Sequence, residues 1–109
     1  MVGRSIIVAG DAPYEQKFEW DKAKSDTCLE ERGFDFNHAA SVWEDPNRVS
    51  FHSPRPHSTE SRTLSIGKID DKLYAVVTTP RGDSLRIMSA RRVSKPREVG
   101  VYGKANSGN

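Results

Sequence analysis

The sequence predicts an α+β fold, with two N-terminal helices packed on one face of an antiparallel β-sheet. Three observations predict it. The chain has 109 residues, enough for one hydrophobic core and too few for two domains. Apolar residues recur at helical spacing in its first half. Its second half holds three strand-like runs joined by short turns, and helices followed by consecutive strands pack against the sheet those strands make.

Taken in order, residues 1–15 contain two glycines and a proline without sustained periodicity, and are expected to form a flexible extension. A single domain is expected over 16–102, followed by a disordered polar tail over 103–109. Lys17-Phe18-Glu19-Trp20 alternates polar with apolar and reads as a short strand. Asp21 is placed to cap a helix over residues 22–32 that Gly33 stops, although its apolar stripe is weak. Phe36, Ala39, Ala40 and Trp43 fall at i, i+3, i+4 and i+7 and predict a second helix, ended by Asp45-Pro46-Asn47. A short strand at 49–51 leads into a loop over 53–61 rich in proline and serine. Strands are then expected over 62–69, 73–79 and 84–93, turning at Asp70-Asp71 and at Pro80-Arg81-Gly82-Asp83. The run from Leu73 to Val77 is apolar on both faces and should be the central strand.

Charge divides the chain. Residues 1–60 hold seven Lys/Arg against eleven Asp/Glu, whereas residues 61–109 hold ten against four. A basic second half suits a polyanionic partner; the alternative is that the halves pack together and neutralise each other. No apolar run approaches the roughly 18 residues a membrane span needs. No signal-peptide pattern is present either, so a cytoplasmic protein is expected. The single cysteine, Cys28, forms no internal disulfide and supplies no second thiolate for zinc. Its acidic neighbours Asp26, Glu30 and Glu31 mark it as a packed, unreactive thiol. No metal-ligand spacing joins His38, His52 and His57, and no cofactor is expected.

The densest chemistry lies in the last strand, Leu85-Arg86-Ile87-Met88-Ser89-Ala90-Arg91-Arg92-Val93. Strict alternation would put Arg86, Met88, Ala90 and Arg92 on the face away from the helices, with Arg62 entering from the neighbouring strand. Guanidinium groups there would grip phosphate through paired hydrogen bonds. An edge strand kept soluble by its charges is the competing explanation. Metal-free RNA cleavage needs a base for the 2′-hydroxyl proton, cations around the phosphate and an acid for the leaving 5′ oxygen. His57 and Glu60 beside Arg62, together with Lys24, Arg86 and Arg92, supply those groups. Imidazole is suited to proton transfer near neutral pH. Tyr74 could stack a base, with Arg91 as a further RNA contact. Trp20 and Trp43 are expected in the core, and Arg81-Gly82-Asp83 as turn chemistry.

These residues, in this order, resemble the BrnT family of toxins. The resemblance runs over about residues 17–94: Phe18-Glu19-Trp20-Asp21 with Lys24, Leu29 and Gly33, then Phe36 with Ala39-Ala40 and Asp45-Pro46. It continues with His57-Ser58, Glu60-x-Arg62, Ile66-Gly67 and Arg86-Ile87-Met88-Ser89-Ala90-Arg91-Arg92. It implies a RelE-like fold and a ribosome-independent ribonuclease that halts bacterial growth. It further implies a BrnA-like antitoxin with a ribbon-helix-helix end, operator DNA being reached only through the toxin–antitoxin complex. By position, Lys24, His57, Glu60, Arg62, Arg86 and Arg92 would surround the RNA phosphate. Cys28, the Glu31-Arg32 pair, and Pro96 with Gly100 depart from the family's pattern. The last two are expected to break its closing helix.

Overall fold

The computed structural model describes residues 16–52 and 61–105. The expected extension over 1–15, nearly all of the expected 53–61 loop with His57 and Glu60, and residues 106–109 lie outside them.

Strand β1 (Lys17–Trp20) buries Phe18 and Trp20, as its alternation requires. Helix α1 (Lys22–Arg32) is capped where expected: the Asp21 carboxylate accepts from the Ala23 N–H at 2.8 Å. At the other end Gly33 takes φ 84°, and its N–H donates to the Leu29 carbonyl at 3.0 Å. The weak apolar stripe of α1 is real, since Ser25 and Cys28 alone are buried on it. Ser25 Oγ accepts from the Phe36 N–H at 3.0 Å and ties α1 to the segment that follows.

That segment departs from expectation. Helix α2 (Phe36–Ala39) is a single turn that continues as a 3-10 helix over Ala40–Glu44. The four residues that predicted one apolar face are nevertheless all buried. The 3-10 helix seats Val42 hard against the sheet: a Cβ on Gly67 would lie 2.6 Å from Val42 Cγ1. Only glycine permits that approach.

Strands β2 (Val49–His52), β3 (Thr63–Ile69), β4 (Lys72–Arg81) and β5 (Ser84–Arg92) follow, with helix α3 (Pro96–Ala105) at the end. The tight turns between β3, β4 and β5 use φ 56° at Asp70 and 59° at Gly82, conformations these residue types tolerate best. The sheet order is β1-β5-β4-β3-β2, with β4 central as its two-faced apolarity predicted. The sheet is not wholly antiparallel, however, because β1 pairs with β5 in parallel. The chain crosses from one edge of the sheet, β1, to the other, β2, before the meander starts, and the meander ends beside β1; a sequence of hairpins alone cannot reveal that crossing.

Two apolar clusters lie on opposite faces of the sheet. One joins Phe18, Trp20, Tyr74, Val76, Ile87 and Ala90 to Cys28 and the 34–43 segment. The other joins Ile66, Ala75 and Val93 to Leu73 and, from α3, Tyr102. Two helices on one face is therefore not the architecture; a third helix stands against the other. Pro96 does not break α3, since it occupies the first turn, where its missing N–H costs nothing. Gly100 is accommodated because tertiary bonds hold the helix: Arg91 to Glu98 at 2.6 and 2.8 Å, and Tyr102 Oη to Asp45 at 2.6 Å. Consequently α3 runs through residues 103–105, which the sequence assigned to a tail. None of the helices among the described residues is long and apolar enough to cross a membrane.

Candidate nucleic-acid interface

The arginines of β5 do not share a face. Val77 pairs with Ser89 and Thr78 with Ile87, so Met88 is an extra residue with no opposite number on β4. This β-bulge resets the alternation. Leu85 and Ile87 face α1 and α2, and beyond the bulge Ala90 and Arg92 do so too. Arg86, Ser89, Arg91 and Val93 face α3. The expectation that Arg86, Met88, Ala90 and Arg92 project together is thus overturned by one inserted residue.

Arg86 is 4% exposed. Its Nη1 lies 3.1 Å from Glu19 Oε2, and Glu19 is its register partner on β1. On its other side Arg86 neighbours Thr79 of β4, whose hydroxyl donates to the Ser61 carbonyl at 2.7 Å. Arg62 comes next in the chain, half-buried, with its Nε out of solvent. The described chain therefore resumes, at Ser61, beside Arg86.

Arg92 is exposed and lies on the helix side, its guanidinium carbon 6.0 Å from the centre of the Tyr74 ring. Tyr74 is no open stacking platform. It is buried, and it meets Phe34 edge-on at 4.9 Å and His38 at 5.4 Å. Around them opens a cleft of about 340 Å³ that also takes in Leu29, Arg32 and Lys72. Sequence reading missed this gathering. The available signal was the pairing of two strands across a short turn, which sets Lys72 two residues from the Arg92 partner, Tyr74.

Lys24 stands elsewhere, on α1, beside a groove of about 300 Å³ shared with Cys28, Arg32, Met88 and Ala90. Cys28 is buried and its Sγ donates to the Ala90 carbonyl at 3.7 Å. Burial chiefly pushes its thiol pKa up, Asp35 and Glu31 adding to the rise and Arg32 opposing it, so it is a packed thiol. Asp26 and Glu30, invoked from the sequence, are not among the causes. Arg91 is clamped by both carboxylate oxygens of Glu98, whose hydrogen bond is the main reason its pKa is raised. Trp20 and Trp43 are buried in the core.

A family model matches residues 20–96; its description is a ribonuclease toxin, BrnT, of a type II toxin–antitoxin system. No curated protein matches the chain.

Proposed function

The chain belongs to the BrnT family of type II toxin–antitoxin ribonuclease toxins, and from that premise we propose that it cleaves RNA without a metal ion, independently of the ribosome. The 2′-hydroxyl oxygen attacks the adjacent phosphorus, its proton passes to His57 or Glu60, and the departing 5′ oxygen is protonated by the other. The products are a 2′,3′-cyclic phosphate and a 5′-hydroxyl. Arg86 and Arg62 stabilise the charge that builds on the phosphoryl oxygens. One observation carries this reading: Arg86, buried and ion-paired to Glu19, lies at the end of the sheet where Ser61 and Arg62 enter β3. Lys24, Arg91, Arg92 and Tyr74 contribute by extending the RNA contact away from the scissile bond. A RelE-like fold is part of the same reading, supported by the meander with helices against it. The partner is a BrnA-like ribbon-helix-helix antitoxin, through which alone operator DNA is bound, and the toxin acts in the cytoplasm.

The test is incubation of the purified protein with single-stranded RNA in the presence of a chelator. The expected result is fragments ending in cyclic phosphate, with Arg62→Ala slower by a factor of about 100 or more. Intact RNA, with no growth arrest on expression and Arg62→Ala indistinguishable from the parent, overturns the proposal.

A second reading rests on a different observation. Arg86 and Arg91 each have a carboxylate partner already, in Glu19 and Glu98. A non-catalytic nucleic-acid- or partner-binding regulatory module would look the same. Retarded mobility of RNA with a steep salt dependence, and no cleavage, is its signature.

A further inference from the structure

The helix-side cleft around Arg92 is remote from the arrangement just described. It opens on the other face of the sheet, and Arg92 lies six residue steps along the strand from Arg86, roughly 20 Å at strand spacing. Its floor is the Tyr74 ring with Phe34 edge-on to it, and the half-buried His38 ring leans on Tyr74 at 5.4 Å. Leu29, 50% exposed, forms an apolar wall. Three cations complete the lining: Arg32 from the end of α1, Lys72 from the start of β4 and Arg92 from the end of β5.

Those cations are uncommitted to a degree the other arginines are not. Among the described residues neither Lys72 nor Arg92 is ion-paired, and the carboxylate nearest Arg32, Glu31, is only loosely held at 3.8 Å, although Arg32 also hydrogen-bonds the Cys28 thiol. The one carboxylate lining the cleft, Asp35, is engaged as a cap, accepting from the His38 N–H at 2.9 Å. Convergent cations over an aromatic and apolar floor suit a ligand that is anionic at one end and flat at the other. Its volume of about 340 Å³ falls within the range of small-ligand sites.

We propose that this cleft is a nucleotide subsite for single-stranded RNA, in which Arg32, Lys72 and Arg92 hold a phosphate and the neighbouring base lies against His38 and Leu29. Three cations from three elements fit a phosphate; the His38 edge supplies polar groups for a base. The inference rests on the ribonuclease reading, because it assigns the cleft to the same substrate, several nucleotides from the bond that is cut. It gives the toxin a means of choosing among RNA segments that does not involve the reacting groups.

The test uses a fluorescent 2′-O-methyl oligoribonucleotide, which lacks the attacking hydroxyl and survives any ribonuclease activity. The full-length protein is expected to bind it, with Lys72→Ala/Arg92→Ala at least tenfold weaker and a shallower dependence on salt, by about one logarithmic unit per logarithm of salt concentration. In the unaltered protein, 5′-AMP is expected to shift the His38 ring resonances. Parent-like binding by the double variant, or His38 resonances unmoved by saturating 5′-AMP, overturns the subsite. Protein that binds the oligonucleotide through the cleft but cuts no RNA overturns the ribonuclease reading and leaves the subsite standing. Protein that cuts RNA while the double variant binds as the parent does refutes the subsite alone.

Discussion

On one side of Met88, β5 carries an arginine that is 4% exposed, paired in register to Glu19 and shut against β1 and β4. On the other side it carries Arg92, exposed, resting on a tyrosine ring and joined to two more cations. Residue type and spacing hardly distinguish these two halves. The bulge sends them to opposite faces, and β1, which reaches only as far as Ile87, covers the first half and not the second. The first half thus holds a guanidinium fixed in place at the cost of desolvating it, whereas the second presents charges that remain hydrated and free to move. Rigid placement suits a group that must meet a transition state, and mobile charge suits one that follows a flexible chain.

The sharpest way to break this contrast is to remove the fixed charge. Arg86→Ala leaves the Glu19 carboxylate, 17% exposed, without its cation and is expected to cost about 3 kcal/mol. Chemical denaturation measures the loss, and Glu19→Leu/Arg86→Met should recover much of it. A cost below about 1 kcal/mol would make the two halves equivalent. Deleting Met88 tests the bulge itself. Its neighbours already pair correctly, so joining Ile87 to Ser89 preserves every face and is expected to cost on the order of 1 kcal/mol. A deletion that flips the strand would instead abolish the Arg91–Glu98 clamp, readable from the loss of α3 protection in hydrogen exchange.

Acid should then separate α3 from the rest. Glu98 is held below its usual pKa mainly by the Arg91 hydrogen bond. Asp45 is lowered too: burial works against this, but hydrogen bonds from Tyr102 and from the Lys68 and Asn47 amides outweigh it. Carboxylates with depressed folded-state pKa values stabilise fully above their unfolded pKa and lose that contribution as pH falls through the folded one. Exchange protection of α3 is therefore expected to persist at pH 6 and to drop below about pH 4. At the alkaline end the sign reverses: burial and the Asp45 contact push Tyr102 from 10.0 up to about 12, so its hydrogen bond is fully present below 10 and fails toward 12. The smallest effect belongs to the mobile half. Arg92→Ala should change stability by no more than about 0.5 kcal/mol in the same denaturation assay, while RNA affinity falls.

Local chemistry was the legible part of this molecule. Asp21 and Gly33 announced both ends of α1, and the Leu73 to Val77 run announced the central strand, because each depends on residues adjacent in sequence. Three features were hidden, and all depend on distant partners. The parallel β1–β5 pair joins residues far apart in sequence. The bulge at Met88 exists only relative to β4. Helix α3 survives Pro96 and Gly100 through bonds to Arg91 and Asp45 that no local pattern signals. Of the predicted site, Arg86 and Arg62 come to one end of the sheet, Lys24 and Arg92 stand apart, and His57 and Glu60 lie outside the described residues. The Arg92 cleft escaped the sequence because its lining is drawn from three separated stretches of chain, brought together only by strand pairing.

The β1–β5 pairing also bears on when the protein can become active during its own synthesis. The bond from Arg86 to Glu19 spans 67 residues, and β5 is the last strand to leave the ribosome. At about 5–20 residues per second, the chain passes several seconds with its first strand made and unpartnered. Throughout that interval Arg86 does not yet exist as a placed group. Closure of the sheet and assembly of the fixed cation are one event, late in translation, and a cell making such a chain has until then to provide whatever will restrain it.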